Sequence, residues 1–574
     1  MHDIPRSEYP RPQFQRKAYL NLNGAWQFEI DHGASGRKRG LLHKEKLEDT
    51  INVPFCPESS LSGVQYTDFM AAVWYKRTFT LPEEANGKRV FLHFGAVDYR
   101  CEAWVNGQSV GVHEGGFASF TFEITAALQT GENTLVVCAE DDTRSGLQPL
   151  GKQSMRYESY GCHYTRTTGI WQTVWLEWTE ETFLRHVKMI PDAQNGCVYL
   201  DAVIDGNAHG CMLKAEASFA GENEGCAQAL ADGGHAKLML AVRDRHLWTA
   251  GKGNLYDLKL TLLKNGEAID QVDSYFALRT ISFEGKKCLI NGKSVFQRLV
   301  LDQGFYPDGI WTAPSDEALR GDIEKSMAMG FNGARLHQKV FEQRFLYWAD
   351  RLGYLCWGEM GNWGVEPSNP PIMNIFLREW LEVVSRDFNS PCIVGWCPYN
   401  EVWKESNFGL REMALAMTYR VTKAMDETRP VIDVSGGFHT ETDIYDTHDY
   451  EQDPAVFAER YQKGAPLYER FEGKQHYDGV KPMFVSEYGG IRWTNDESGW
   501  GYGKGPESEE EFIHRYRGLT TALLNNLEHM GFCYTQLTDV EQEQNGLYTY
   551  DRKAKFDPDV IRQINMQKAV IEEE

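Results

Sequence analysis

Short stretches in which apolar and polar residues alternate recur through the first part of the chain. Residues 25–30 follow this pattern, which is typical of strands that bury one face. Residues 101–105 also alternate and run directly into Asn106-Gly107, a strong signal for a hairpin turn. Regularly spaced short strands of this kind predict a β-sandwich or jelly roll over residues 1–180.

The next hundred residues keep the pattern of strands and add glycine-rich turns. Residues 256–262 alternate clearly, and residues 232–234 read Asp-Gly-Gly. A segment of this length and pattern predicts a small immunoglobulin-like β-sandwich over residues 181–282.

From residue 283 onward the pattern changes to short apolar runs separated by amphipathic stretches. Eight β/α units in about 290 residues is the size expected of a closed parallel barrel, so residues 283–574 predict a (β/α)8 TIM barrel. The candidate strands are 299–304, 333–337, 355–360, 393–401, 431–435, 444–449, 483–488 and 531–538.

Amphipathic stretches between these strands predict the helices of the barrel. Ser315 is placed to cap the first one, and Ser508 has capping-box spacing to Glu511 before the last one. The predicted helices cover residues 315–329, 341–352, 412–427 and 509–529.

Composition narrows the functional classes. The 574 residues suggest roughly two to four domains, and the net charge of −23 argues against nucleic acid as a partner. No apolar run is long enough for a membrane span, and no secretory signal is visible. The 12 cysteines include no Cys-x-x-Cys pair, so we expect reduced thiols, a cytoplasmic protein, and neither a metal nor a cofactor.

Two of the barrel strands end at a glutamate. Residues 393–401 end at Glu401, and the run from residue 483 ends at Glu487. A buried strand gains nothing from a carboxylate at its last position, and barrel active sites lie at the carboxyl ends of strands. Paired carboxylates are what glycoside hydrolysis requires; the competing interpretation is two structural ion pairs.

Polar neighbours of these glutamates fit the same chemistry. Asn400 is placed to bind a sugar hydroxyl beside the reacting carbon, and either Tyr450 or Tyr488 is placed to donate to Glu487. These motifs resemble glycoside hydrolase family 2, which includes β-galactosidases, β-glucuronidases and β-mannosidases. The resemblance covers essentially the whole chain, in the order of a short three-domain member. It is carried by Asn400-Glu401, by Ser486-Glu487-Tyr488-Gly489, and by residues 20–26, 168–176, 289–293 and 330–335.

The resemblance implies a retaining exo-β-glycosidase that forms a covalent glycosyl-enzyme on a carbohydrate substrate. It makes Glu487 the nucleophile and Glu401 the acid/base. It also implies that Arg335 is a shared active-site arginine, and that Tyr450 contacts the nucleophile. Short members often oligomerise, so a homo-oligomer stays open.

The identity of the sugar depends on less specific residues. The family's β-glucuronidases carry an Asn-x-Lys motif where residues 540–548 here have acids and amides. Lys339 and Arg492 are extra cations that either form structural ion pairs or bind a uronate carboxylate instead. Further substrate-binding candidates, each with a structural role as the alternative, are His163, Asp302, His337 and His448.

The leading expectation is therefore hydrolysis of a terminal β-D-galactoside or a related β-hexuronide such as a galacturonide. The alternative in the same class is a β-glucuronidase or another family 2 β-glycosidase. A non-catalytic carbohydrate-binding protein predicts the loss of one glutamate, and both are present. A metal-dependent hydrolase needs a larger ligand set than His337, His448 and Asp449 provide.

Overall fold

The computed structural model describes residues 4–403, 408–463, 465, 468 and 477–572. It contains the three architectures that the sequence predicts, in the predicted order, and the fold class is confirmed. Sheet membership changes between Thr179 and Phe183 and again between Phe276 and Ile281. The domain limits at 180/181 and 282/283 stay predictions.

The first domain packs two antiparallel sheets face to face around a core that includes Trp26, Phe28 and Tyr75. It also contains the short helix α1 (Gly36–Arg39). Its strands are β1 Tyr19–Asn21, β2 Gly24–Asp31, β3 Asp49–Val53, β4 Ala72–Thr80, β5 Arg89–Phe94, β6 Val97–Asp98, β7 Arg100–Val105, β8 Gln108–Glu114, β9 Phe120–Glu123, β10 Glu132–Glu140, β11 Gly169–Ile170 and β12 Val174–Thr179.

The larger sheet has the order β3-β2-β4-β10-β7-β8, and the smaller one has the order β1-β12-β5-β9. Asn106 and Gly107 join β7 to β8 with φ angles of 52° and 81°. Two consecutive positive φ angles define the type I′ turn that matches the twist of a hairpin, which explains the Asn-Gly sequence.

The second domain is a smaller sandwich of a three-stranded and a four-stranded antiparallel sheet, with orders β13-β14-β17 and β16-β15-β18-β19. Alternating leucine, alanine and valine side chains fill its core. Its strands are β13 Phe183–Asp192, β14 Cys197–Asp205, β15 Cys211–Phe219, β16 Glu222–Leu230, β17 His235–Ala241, β18 Tyr256–Lys264 and β19 Glu267–Phe276.

A three-stranded sheet, β20 to β22, leads into the barrel. All eight predicted barrel strands are present, and every strand pair in the barrel is parallel. The strands are β20 Ile281–Glu284, β21 Lys287–Ile290, β22 Lys293–Ser294, β23 Gln297–Asp302, β24 Gly333–Leu336, β25 Leu355–Glu359, β26 Ile393–Cys397, β27 Tyr399–Asn400, β28 Val434–Ser435, β29 Tyr445–Asp449, β30 Met483–Gly489 and β31 His529–Thr535.

Seven of these strands form one sheet in the order β26-β25-β24-β23-β31-β30-β29, and β28 pairs with β27, the extension of β26. Because β27 to β30 are neighbours around the barrel, the side chains at their carboxyl ends converge. The helices are α2 Asp316–Ala328, α3 Gln343–Leu352, α4 Pro370–Asp387, α5 Phe408–Met425, α6 Pro454–Arg460, α7 Glu509–Leu524 and α8 Pro558–Asn565.

The capping predictions hold at Ser315 and Ser508, whose side chains accept from backbone N–H groups three residues later. The end of α7 differs from the prediction, because the helix stops at Leu524 and His529 already begins β31. The Asn525-Asn526 pair explains this end, since asparagine side chains favour turns over helix interiors. Asn526 accepts from the N–H of Glu528.

None of the helices among the described residues is long and apolar enough to span a membrane. All 12 cysteines are free thiols.

A loop of the first domain, residues 148–168, lies on the mouth of the barrel. The N–H of Leu150 donates to the carbonyl of Trp363 at 2.7 Å, and that of Gly151 donates to Gly361 at 3.1 Å. Gly151 has a φ of 59°, and a Cβ there would lie 2.1 Å from the carbonyl oxygen of Gln338. Only glycine permits this close approach of two backbones.

Buried carboxyl groups anchor the base of this loop. Asp98 accepts from the side chain of Gln153 at 2.7 Å, and Glu58 accepts from the N–H of Thr168 at 3.2 Å. Burial raises the pKa of Glu58 to about 8, and the nearby Asp141 carboxyl adds to the effect. Glu58 is therefore protonated in the folded protein over a pH range in which the unfolded chain is ionised.

We expect the stability of the protein to depend on pH through Glu58. A folded pKa of about 8 against 4.5 in the unfolded chain gives a contribution that is fully present below pH 4.5 and is lost as the pH rises to 8. Glu58→Gln removes this loss, since it keeps an acceptor for Thr168 and cannot ionise. At about 1.4 kcal/mol per pKa unit, the variant gains a few kcal/mol on wild type between pH 5 and pH 8.5.

The measurement is the melting temperature at both pH values. Glu132→Gln, which removes an exposed carboxylate of the same domain, is the control and should follow wild type. An unchanged pH dependence in Glu58→Gln would contradict the burial of an ionisable group here.

Candidate active site

The two predicted glutamates share one histidine. Glu487 lies within β30, and Glu401 follows β27 with its N–H donating to the carbonyl of Ser435 at 2.9 Å. Nδ1 of His448 lies 2.9 Å from Oε1 of Glu401 and 3.3 Å from Oε2 of Glu487. One side-chain ligand atom of each of these three residues lies within 4.8 Å of the others.

The second ring nitrogen of His448 also has a fixed partner. Nε2 of His448 lies 3.1 Å from Oγ of Ser435, which donates to Asp446 at 2.7 Å. Both ring nitrogens therefore face oxygen acceptors, and the ring donates a proton toward the carboxylates. Gly436 has a φ of 63°, and a Cβ there would lie 2.3 Å from the ring of His448. Glycine is required for the imidazole to take this position.

Arg335 connects the nucleophile candidate to its surroundings. Its two terminal nitrogens donate to Glu487 at 3.1 Å and the carbonyl of Ser486 at 2.8 Å, and to Glu359 at 2.7 Å and Asn400 at 3.1 Å. All of these groups are buried.

The electrostatics of Glu487 favour its ionised form. Burial by itself raises the pKa of this carboxyl, but the interactions with His448, His337 and Arg335 outweigh burial and hold the pKa below its usual value. Tyr450 donates a short hydrogen bond to Oε2 of Glu487 and stacks on the ring of Tyr502. Glu487 is thus an ionised carboxylate in a fixed orientation, as a nucleophile must be.

The residues around this centre form a connected set of hydrogen bonds. Nδ1 of His337 lies 2.8 Å from Oε1 of Glu359, and the N–H of Asn400 donates to Asn362 at 2.8 Å. Sequence reasoning missed Glu359, although residues 355–359 are another apolar run that ends at a carboxylate. The signal that identified Glu401 and Glu487 was therefore present here too.

Tyr488 lies away from the two carboxylates. It does not donate to Glu487, contrary to what the sequence allowed. Its hydroxyl lies 2.8 Å from Oγ1 of Thr520 on α7, within the packing between barrel and helix. Successive residues of a strand point to opposite faces. Because Glu487 faces the centre of the barrel, Tyr488 has to face outward.

Two of the predicted cations are bound to backbone carbonyls instead of lying free at the site. Lys339 is buried, and its ammonium group donates to the carbonyls of Gly304 and Trp311. Burial lowers the pKa of Lys339 to about 7. Arg492 donates to the carbonyls of Asp496 at 3.0 Å and Gly499 at 2.8 Å, and so holds the glycine-rich loop after β30.

Asp302 also has a local partner. Its carboxylate accepts from the N–H of Gly304 at 2.9 Å, and burial and the nearby Asp322 raise its pKa to about 6. Arg552 and Lys339 are the cations that oppose this shift. The structure thus surrounds Asp302 with groups other than the two glutamates.

His163 lies in the docked loop of the first domain, near the mouth. Its ring centroid lies 5.2 Å from that of Trp363, and burial together with the charge of Lys152 lowers its pKa to about 4. Lys152 is 5% exposed and lies within electrostatic range of Glu401 and Glu487. Sequence reasoning missed Lys152, because nothing in a single loop sequence shows which distant domain it contacts.

The acidic stretch at 540–548 holds this loop. Glu541 accepts from the N–H of Thr165 at 3.0 Å, and Glu543 accepts a short hydrogen bond from the hydroxyl of Tyr164. Gln542 donates to the carbonyl of His163 at 2.9 Å. Residues 541–543, which stand in place of the Asn-x-Lys motif, therefore join the first domain to the barrel.

Comparison with known proteins agrees with this architecture. Residues 20–176 match the sugar-binding domain of glycosyl hydrolases family 2, residues 205–279 match a second family 2 domain, and residues 317–508 match the family 2 TIM barrel domain. The fold is similar to the solved structure of a β-glucuronidase from Bifidobacterium dentium complexed with coumarin-3-O-glucuronide. That likeness has a TM-score of 0.81 and 20% identity, over 96% of this chain and 97% of that one.

Curated relatives are more similar in sequence. A β-glucuronidase of Paenibacillus borealis is 25% identical over 427 residues, 68% of this chain and 69% of that protein. A β-galactosidase of Thermoanaerobacter pseudethanolicus is 25% identical over 484 residues, 82% of this chain and 59% of that protein. Against a relative from Formosa agariphila, 27% identical, the match covers 69% of this chain and only 48% of the relative.

A jelly roll, a sandwich and a barrel with paired strand-end glutamates define the architecture of a multidomain glycoside hydrolase. The chain belongs to glycosyl hydrolase family 2.

We expect Gly436→Ala to lower kcat on the best glycoside substrate by about 100-fold, since a ~1 Å displacement of a reacting group has effects of this size. The new methyl group would displace the ring of His448 from the two carboxylates. The measurement is steady-state kinetics, with the melting temperature as a check on folding.

Gly479→Ala is the matched control. Gly479 has a similar φ of 74° but nothing within 4 Å of its Cβ position, so it carries the same backbone strain without the clash. Equal kinetic effects of the two substitutions would contradict a role for the position of His448.

Proposed function

We propose that this protein is a retaining exo-β-glycosidase. The observation that carries the proposal is the hydrogen-bonded arrangement of Glu401, His448 and Glu487 at the carboxyl ends of neighbouring barrel strands. Retaining enzymes place their two carboxyl groups about 5–5.5 Å apart, whereas inverting enzymes need about 6.5–9.5 Å to admit a water molecule. One carboxylate oxygen of Glu401 lies within 4.8 Å of one of Glu487, and this short separation supports retention.

In the first step of this mechanism, Glu487 attacks the anomeric carbon while Glu401 gives its proton to the leaving oxygen. The bond to the aglycone breaks, and the sugar becomes esterified to Glu487. In the second step, Glu401 takes a proton from water, which attacks the anomeric carbon and releases Glu487. The sugar keeps its anomeric configuration because each step inverts it once.

The surroundings of the two glutamates support these roles. Glu487 is buried and contacts Arg335 and Tyr450, which hold an ionised oxygen in place. The side chain of Glu401 is 20% exposed, compared with 5% for Glu487. Access to solvent suits the group that exchanges protons with the leaving group and with water.

We infer that the sugar is a β-hexuronide, with β-D-glucuronide as the first candidate. Curated relatives named as β-glucuronidases support the glucuronide over the galactoside or galacturonide that the sequence favoured. The acids at 541–543 do not argue against it, since their contacts hold a loop and leave uronate recognition to other residues. A β-D-galactoside or β-D-galacturonide is the second candidate, which the relative named as a β-galactosidase supports.

A non-catalytic carbohydrate-binding protein is disfavoured by the retained carboxylate pair and its intact hydrogen bonds. The cytoplasmic location and a homo-oligomeric state stay predictions.

The test is hydrolysis of paired 4-nitrophenyl β-glycosides: glucuronide with glucoside, and galacturonide with galactoside. We expect the glucuronide to give the highest kcat/KM, and proton NMR to show the β-anomer as the first sugar released. Glu487→Gln should lower kcat on every substrate by at least about 10⁴-fold, since removal of a nucleophile has effects of this order.

Glu412→Gln, which changes an exposed glutamate on α5, is the control and should match wild type. Release of the α-anomer would rule out retention. Substantial activity in Glu487→Gln would overturn the assignment of the nucleophile.

A further inference from the structure

The cations that surround the two glutamates differ in how fully they are bound. Both terminal nitrogens of Arg335 donate to fixed acceptors, and the ammonium group of Lys339 donates to two carbonyls. Arg492 is bound to the carbonyls of its own loop. Each of these three cations is thus already held by acceptors of the protein itself.

Lys152 is different. It is 5% exposed, and within the described parts of the chain no hydrogen-bond acceptor or ion-pair partner contacts its ammonium group. Two aromatic rings lie close to it, with Nζ 5.2 Å from the ring centroid of Trp363 and 5.9 Å from that of Tyr164. An ammonium group in such an enclosed position usually finds a hydrogen-bond acceptor in a ligand or in water.

The position of Lys152 is fixed by the docked loop. The preceding residues, Leu150 and Gly151, bond to the backbone of Trp363 and Gly361, and the carbonyl of Lys152 accepts from the N–H of Tyr164 at 2.7 Å. Lys152 therefore enters the mouth of the barrel from the first domain.

The charges at the mouth indicate what Lys152 faces. Glu543, Glu487 and Glu401 all act on it electrostatically, yet none comes within ion-pair distance. Glu543, which exerts the largest of these attractions, already accepts from Tyr164 and from Asn545 at 3.3 Å. The ammonium group thus acts on the two reacting carboxylates without forming an ion pair with either, as a group that binds another part of the same sugar would.

We propose that the ammonium group of Lys152 binds the carboxylate of the substrate hexuronide. This inference rests on the function proposed above. A hexuronide carries its carboxylate on C5, across the ring oxygen from the anomeric carbon that Glu487 attacks. Without a nearby cation, this negative charge would be repelled by the ionised carboxylate of Glu487. Lys152 offsets that repulsion and selects against sugars that have a hydroxymethyl group at the same position.

The test compares kcat/KM for 4-nitrophenyl β-D-glucuronide and β-D-glucoside, which differ only in the group on C5. We expect Lys152→Met to lower the value for the glucuronide by at least about 50-fold, the size expected of a charge-assisted hydrogen bond. The ratio of glucuronide to glucoside should fall by a similar factor. Lys152→Arg, which keeps the charge, should restore part of this ratio.

Arg156→Met is the matched control for charge. Arg156 is an exposed cation of the same loop, with its guanidinium 3.9 Å from the ring centroid of Tyr160, and its loss should leave the ratio unchanged.

A purely structural role predicts a different result. If Lys152 only neutralises Glu543, the double variant Lys152→Met/Glu543→Gln should recover hydrolysis of the glucuronide, and that recovery would overturn the proposal. Persistent loss on the glucuronide, with the glucoside less affected, supports carboxylate binding.

A wrong sugar assignment and a wrong role for Lys152 would give different results. Wild-type protein that cleaves only neutral glycosides overturns the proposed sugar and this inference with it. Wild-type protein that cleaves the glucuronide, together with a Lys152→Met variant that loses both substrates equally or neither, overturns this inference alone.

Discussion

The imidazole of His448 between two carboxylates is the interaction on which the active site depends. Two carboxyl groups this close repel each other when both are ionised, so one of them tends to hold a proton, as the proposed acid role of Glu401 requires. His448 donates toward both, and Ser435 and Asp446 hold its far side. The five residues of this arrangement come from four neighbouring strands, β27 to β30, so the geometry of the closed barrel is what brings them together.

This arrangement determines how the remaining charges are placed. Arg335 is shared between Glu359 and Glu487, so it stabilises the ionised form of Glu487, the proposed nucleophile. Lys339, just after β24, donates to backbone carbonyls of the loop that follows β23. Arg335 and Lys339 are thus held within the barrel, whereas Lys152 approaches the site from the first domain.

Much of the fold follows from the sequence because buried parallel strands are short apolar runs between amphipathic helices. All eight barrel strands lie where these runs predict them, and Glu401 and Glu487 stand out because each ends such a run. The period of two along a strand would also have excluded Tyr488, which has to face away from its neighbour Glu487. The proximity of Lys152 to Glu543 could not be found in this way. It arises only when two loops, almost 400 residues apart in sequence, dock against each other.

The docking of those loops links specificity to the assembly of domains. The stretch that contains Glu541 and Glu543 stands where the family's β-glucuronidases carry Asn-x-Lys. Here it contacts residues 163–165 of the loop that also carries Lys152 into the mouth. A glutamate at the rim of the barrel would repel a uronate substrate if its carboxylate had no donor or cation nearby. Here Tyr164 and Asn545 bind Glu543, and Lys152 lies near enough to balance its charge. The departure from the family motif and the buried lysine are therefore two parts of one interface, and a change in either is expected to alter both the docking of the loop and the preference for sugar.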